Sequence, residues 1–201
     1  MSAIEFDYPV AANHCMQAVR DNGAAAIRDF LQPGLLADVL LAINSQQLTS
    51  TDNLDAQIPE RYASKHFVFP HECQPAIRQY GEFLLHWLGS SGQPVEWAPN
   101  DVLIQRYGPE DFIVRHRDYK RSIGLVAVTT LYGEAPFYVE LDGRHDKETC
   151  VNTRPGTLVL MRGPGLTYAD GRPYHRAGLP TSAPRIAVTY RQTIPKSGEI
   201  S

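Results

Sequence analysis

Two stretches of the chain carry residues able to do chemistry together. The first ends in His116-Arg117-Asp118, an imidazole and a carboxylate separated by one residue, preceded by the β-prone Phe112-Ile113-Val114. Side chains i and i+2 of a strand point to one face, so His116 and Asp118 are placed to converge on one ion while Arg115 and Arg117 turn away. The second is Pro173-Tyr174-His175-Arg176, whose His175 is the best third ligand. A loop histidine, His145, ranks behind it because it lies far in sequence from the arginine-bearing strand described next.

Two imidazoles and one carboxylate form a facial triad that leaves coordination positions open, the pattern of non-haem Fe(II) oxygenases. A structural zinc site closes with four ligands, often cysteines. Here Cys15, Cys73 and Cys150 are scattered and form no CxxC pair. Ten residues beyond His175 begins Arg185-Ile-Ala-Val-Thr-Tyr-Arg191. As a strand it puts Arg185, Ala187, Thr189 and Arg191 on one face and Ile186, Val188 and Tyr190 on the other. Two inward guanidiniums are costly unless they meet an anion, and a dicarboxylate would supply one.

These residues resemble the Fe(II)- and 2-oxoglutarate-dependent dioxygenases, most closely the AlkB-like branch, over roughly the C-terminal half. That branch carries Asn-Arg-Tyr, an H-x-D eleven residues after the Asn, a distal His and an R-x-N-x-T-x-R strand. Gln105-Arg106-Tyr107 stands at the first position, eleven residues before His116, and Arg185, Thr189 and Arg191 match the last, with Ala187 in place of its Asn. The resemblance implies that His116, Asp118 and His175 bind Fe(II), that Tyr107 and Arg185 hold 2-oxoglutarate beside Gln105 and Thr189, and that Arg191 closes the site beside Asp118. It further implies O2 as oxidant and a hydroxylated product with succinate and CO2. Halogenation is disfavoured because Asp118 occupies the position that halide-binding relatives vacate.

The surrounding elements must position these groups. At 201 residues, with 43% apolar and 20% charged side chains and no composition shift, the chain reads as a single domain, 1–201. Helical support and a substrate loop over 1–99 precede a core over 100–194. Helices are expected near 10–22, from Leu35 to Gln47 and from Glu72 to Leu88, with a strand over 23–31 turning at Gln32-Pro33-Gly34. The polar stretch from Ser50 to His71 reads as an irregular loop covering the substrate pocket. Strands are expected over 123–132, 136–141 and 156–161, and 15 glycines and 15 prolines suit a loop-rich β architecture. The fold class is therefore α+β, mainly β: by resemblance a double-stranded β-helix, or jelly roll, with N-terminal helices packed on one sheet.

A net charge of −3 and pI near 6.1 offer no general attraction to phosphate backbones. Nucleic acid is therefore disfavoured as partner relative to a small molecule, although Tyr62, Phe67, Phe69 and Trp97 are candidates to stack a base. Lys120 and Arg121 are candidate substrate contacts. No apolar run reaches bilayer length, the N-terminus lacks a signal-peptide pattern, and an odd number of unpatterned cysteines fits a reducing compartment, so the cytoplasm is expected. Oligomeric state leaves no signal. Two rivals remain open: a non-catalytic β-sandwich binding module, and a cupin-like metalloenzyme that uses no 2-oxoglutarate.

Overall fold

A computed structural model describes residues 4–54, 58–92, 96–140, 148–166 and 171–194, with the side chain of Ala183 left out. His145, the alternative ligand, lies outside these residues. Among them are eleven strands: β1 Glu5–Asp7, β2 Ala24–Arg28, β3 Thr49–Asn53, β4 Glu60–Val68, β5 Asp101–Tyr107, β6 Phe112–His116, β7 Ser122–Glu140, β8 Thr149–Thr153, β9 Leu158–Arg162, β10 Tyr174–Ala177 and β11 Ser182–Thr193. Three helices accompany them: α1 Ala12–Asn22, α2 Pro33–Asn44 and α3 Pro75–Gly89. No helix of the described residues is long and apolar enough to cross a membrane.

Strands β7, β10, β6, β4, β5 and β11 pair in sequence and β11 returns to β7, closing a barrel. The closure depends on β7, a strand long enough to belong to both walls. Its first part pairs with β9 and β11, and its second with β8 and β10. Gly133, at φ +69°, marks the junction, and a Cβ there would meet the Pro184 carbonyl oxygen. The expected pair of strands over 123–132 and 136–141 is thus one bent strand, because glycine permits a bend without ending the ladder.

The 50–71 stretch is a second correction. It contains the β3–β4 hairpin, and β4 pairs with both β5 and β6, joining the two walls. The loop expectation fails because Glu60-Arg-Tyr-Ala-Ser-Lys-His66 is polar on both faces, which hides its alternation. Pro33 opens α2, two residues ahead of the expected helix start at Leu35, its missing N–H falling where a helix needs none.

The helices cover the outer face of the larger wall. Cys15, Met16 and Val19 of α1 recur at helical spacing and pack with Val39 and Ile43 of α2, and Ile77, Leu84 and Leu88 of α3, against Ile27, Ile104, Leu125 and Val188 of the strands. At Gly81 a side chain would collide with the rings of Phe69 and Tyr190, so glycine lets α3 approach the sheet. Tyr190 donates a 2.5 Å hydrogen bond to the Ile77 carbonyl. Phe67, Phe69 and Trp97, candidates for base stacking, belong to this buried cluster. A second apolar cluster lies between the walls, built from Val126, Val128, Val159 and Met161 facing Phe137 and Val139. It floors the barrel interior.

Candidate active site

His116 ends β6 and His175 lies in β10, and the two are register partners across antiparallel strands. Their rings meet with centroids 4.3 Å apart. Asp118 follows just past the end of β6, one carboxylate oxygen 3.7 Å from His175 Nε2. One ligand atom from each residue falls within 4.8 Å of the others, and no other such group of histidine, cysteine or carboxylate side chains occurs among the described residues.

The surroundings orient these groups as ligands. Nδ1 of His116 is 2.8 Å from the Val114 carbonyl, an acceptor only, so Nδ1–H donates and Nε2 keeps its lone pair. Nδ1 of His175 makes the same contact with Pro173 more loosely, at 3.5 Å. The Phe137 ring stacks on His175. Burial, then the neighbouring His116, pushes the His175 pKa down to about 4, leaving it neutral at pH 7. Nη1 of Arg172 donates to the Asp118 carbonyl and pins the segment beyond β6. Two imidazole nitrogens and one carboxylate suit a divalent transition metal with open positions.

The triad opens into a cavity of about 710 Å³ lined by inward side chains of β4, β5 and β11. On β11, Arg185 is 2% exposed and pairs in register with Tyr107. Its Nη2 donates to Thr130 Oγ1 at 3.2 Å, while Nε is buried with no hydrogen-bond partner. Burial lowers its pKa, opposed by Tyr107, yet a guanidinium keeps its proton in proteins. It lies 5.6 Å over the Tyr107 ring and carries no ion pair with a described carboxylate, so Arg185 is a buried positive charge that no described anion neutralises.

Gln105 and Thr189 line the same cavity, and Gln105 hydrogen-bonds to Tyr62. Ala187 is also inward but packs in the apolar floor. Arg191 lines the same cavity as Asp118, and its ion-pair partner is Asp101. Its Nε and Nη2 both donate to Oδ2 of Asp101, the residue paired with it in register on β5. Oδ1 of Asp101 lies 3.1 Å from His66 Nδ1. Burial raises the Asp101 carboxyl, but His66 and Arg191 outweigh it and hold the carboxyl below its usual range.

Sequence reasoning misses Asp101, Thr130 and the inward row Glu60, Ser64 and His66 of β4, all but Thr130 lining the cavity, while Tyr62, a candidate base-stacking ring, belongs to the same row. The row's signal is period-two spacing within the hairpin; Thr130 leaves none, since its role depends on the β7–β11 register. Arg117, expected to turn away, also reaches the cavity, because β6 ends at His116 and strand alternation no longer governs the next residue.

The sequence matches no family model and no curated protein. Solved structures are similar to it. An oxidoreductase of the 2OG-Fe(II) oxygenase family from Burkholderia pseudomallei superposes with TM-score 0.72 at 14% identity, covering 96% of each chain. A Pseudomonas putida prolyl-4-hydroxylase gives 0.68 at 17% identity, over 92% of this chain and 100% of that one. OsALKBH1 gives 0.57 at 17% identity, over 85% and 98%. The chain has the fold of the 2OG-Fe(II) oxygenases, and its triad lies inside that fold's barrel.

Proposed function

We propose that this chain is an Fe(II)- and 2-oxoglutarate-dependent dioxygenase that hydroxylates a C–H bond of a small molecule, and that its barrel is the double-stranded β-helix of that group. The observation that carries the reading is Arg185: a buried guanidinium with an orphaned Nε, in the cavity that holds the triad. A structural module has no use for such an uncompensated charge, and a metalloenzyme without an anionic co-substrate has none either.

In this reading His116, Asp118 and His175 hold the iron, for which the lone pair left at His116 Nε2 and the neutral His175 fit. Arg185, steadied by Thr130, grips the far carboxylate of 2-oxoglutarate, with the Tyr107 hydroxyl beside it. Gln105 and Thr189 form the polar wall between, and Arg191, held by Asp101, bounds the far end. Iron supplies the activation of O2; one atom enters the substrate C–H bond, the other succinate, and CO2 leaves. The chain's own share is orientation of the co-substrate and exclusion of water by the apolar floor under the triad.

A small molecule is favoured over alkylated nucleic acid because three of the four candidate base-stacking rings, Phe67, Phe69 and Trp97, are core residues. A cytoplasmic protein is the corresponding expectation for location. The test is succinate formation from 2-oxoglutarate under air. Slow turnover is expected with Fe(II), with loss on chelation and in His175→Ala and Arg185→Ala. Succinate formation that persists in Arg185→Ala would favour an unrelated route.

A further inference from the structure

Besides Arg185 over Tyr107, four arginines near the site rest on tyrosine rings, and they differ in one respect. On the outer face of the smaller wall, Arg115 lies 3.5 Å over Tyr174 and Arg176 3.6 Å over Tyr138. Each also binds a glutamate through two nitrogens, Arg115 with Glu140 at 2.7 and 2.9 Å and Arg176 with Glu148 at 2.9 Å twice. Those stacks are complete. Arg117 shares the Tyr174 ring with Arg115, at 4.1 Å, but lines the cavity, as does the exposed Arg121, 5.5 Å over the exposed Tyr119; neither makes an ion pair with a described carboxylate. Nε of Arg117 is moreover buried with no hydrogen-bond partner.

The nearest carboxylate in sequence, Asp118, belongs to the triad, and Asp101 is taken by Arg191 and His66. Two shelved guanidiniums thus line a cavity whose own carboxylates are engaged elsewhere, apart from Glu60, which accepts from Tyr62 on the β4 wall. A ring beneath a guanidinium holds its plane while leaving its N–H edge free for a planar, doubly hydrogen-bonded anion.

We infer that Arg117 and Arg121 form an anion-recognition site for the prime substrate: the molecule hydroxylated carries a carboxylate or a phosphate that these two residues grip while its reacting carbon faces the triad. The inference rests on the dioxygenase reading, with Arg185 reserved for 2-oxoglutarate. It narrows the substrate class to small anionic molecules.

Arginine labelling tests it while the substrate itself is unidentified. Protein loaded anaerobically with Fe(II) and saturating 2-oxoglutarate is treated with phenylglyoxal, and the rate at each arginine is read by peptide mass spectrometry. Inorganic phosphate, hexanoate or neutral hexanamide is added as probe. Arg117 and Arg121 are expected to slow together by about tenfold with an anion and to be unaffected by hexanamide. Protection by phosphate only points to a phosphorylated substrate, by hexanoate only to a carboxylic acid, and protection by both supports the site in its general form. In Arg121→Gln, protection of Arg117 is expected to fall. Absence of protection by either anion, equal protection by hexanamide, or uniform slowing of all exposed arginines overturns the inference. Protection without any 2-oxoglutarate charge-transfer band removes the dioxygenase reading instead and leaves the anion site standing.

Discussion

The two faces of β11 differ in what completes them. Outward, Ile186, Val188 and Tyr190 enter the helix-backed core, with Tyr190 edge-on to both Phe69 and Tyr80. Inward, Arg185, Thr189 and Arg191 face the cavity. Every outward group is satisfied within the chain, including the Tyr190 hydroxyl, whereas the inward face leaves Arg185 Nε without a partner. One face is finished by folding, and under the proposed function the other is finished by the co-substrate. Substitutions on the two faces should therefore separate stability from function.

The largest effect is expected at the triad. Asp118→Ala removes the one anionic ligand, so Fe(II) affinity measured by titration should collapse together with turnover, while thermal unfolding of the metal-free protein should hardly move. A drop in metal-free stability comparable to a core mutation would contradict the separation. On the opposite face, Tyr190→Ala should destabilise by about 3–5 kcal/mol in denaturant unfolding, since it empties a fully buried site against Phe69 and Tyr80.

Between these lies a pH effect. Unfolded, His175 titrates near 6.5; folded, it resists protonation until about pH 4. The unfolded chain thus binds more protons in that window. Metal-free stability attributable to His175 should be complete above pH 6.5 and fall by about 3 kcal/mol as pH drops through 4. His175→Ala should flatten that slope. Gly133→Ala is expected to cost about 1–3 kcal/mol through its left-handed φ alone, and more where the side chain meets the Pro184 and Ser182 carbonyl oxygens. A neutral result would mean that the bend joining the two walls is looser than the structure has it.

The inward face of β11 is legible in the sequence because its arginines alternate with large apolar residues, and His116 and Asp118 because of their own spacing. His175 ranks ahead of His145 by its nearness in sequence to the arginine strand, and only the β6–β10 register brings it to the other two. The β3–β4 hairpin stays hidden because Glu60, Tyr62, Ser64 and His66 alternate with Arg61 and Lys65, which gives no hydropathy contrast. The motif places Arg191 beside Asp118, but its ion-pair partner, Asp101, is fixed by strand register, which spacing along one segment does not encode. The bent β7 reads as two strands for a related reason: a glycine inside a ladder looks in sequence like a turn.

The most direct measurement is anaerobic titration of the Fe(II)-loaded protein with 2-oxoglutarate, following the visible metal-to-ligand charge-transfer band. The band should appear in the wild type, require His175, and need at least about 100-fold more 2-oxoglutarate in Arg185→Ala, the loss of a buried bidentate partner. An iron-replete wild type with no band, or an Arg185→Ala variant with undiminished affinity, would contradict the assignment of that buried charge to the co-substrate.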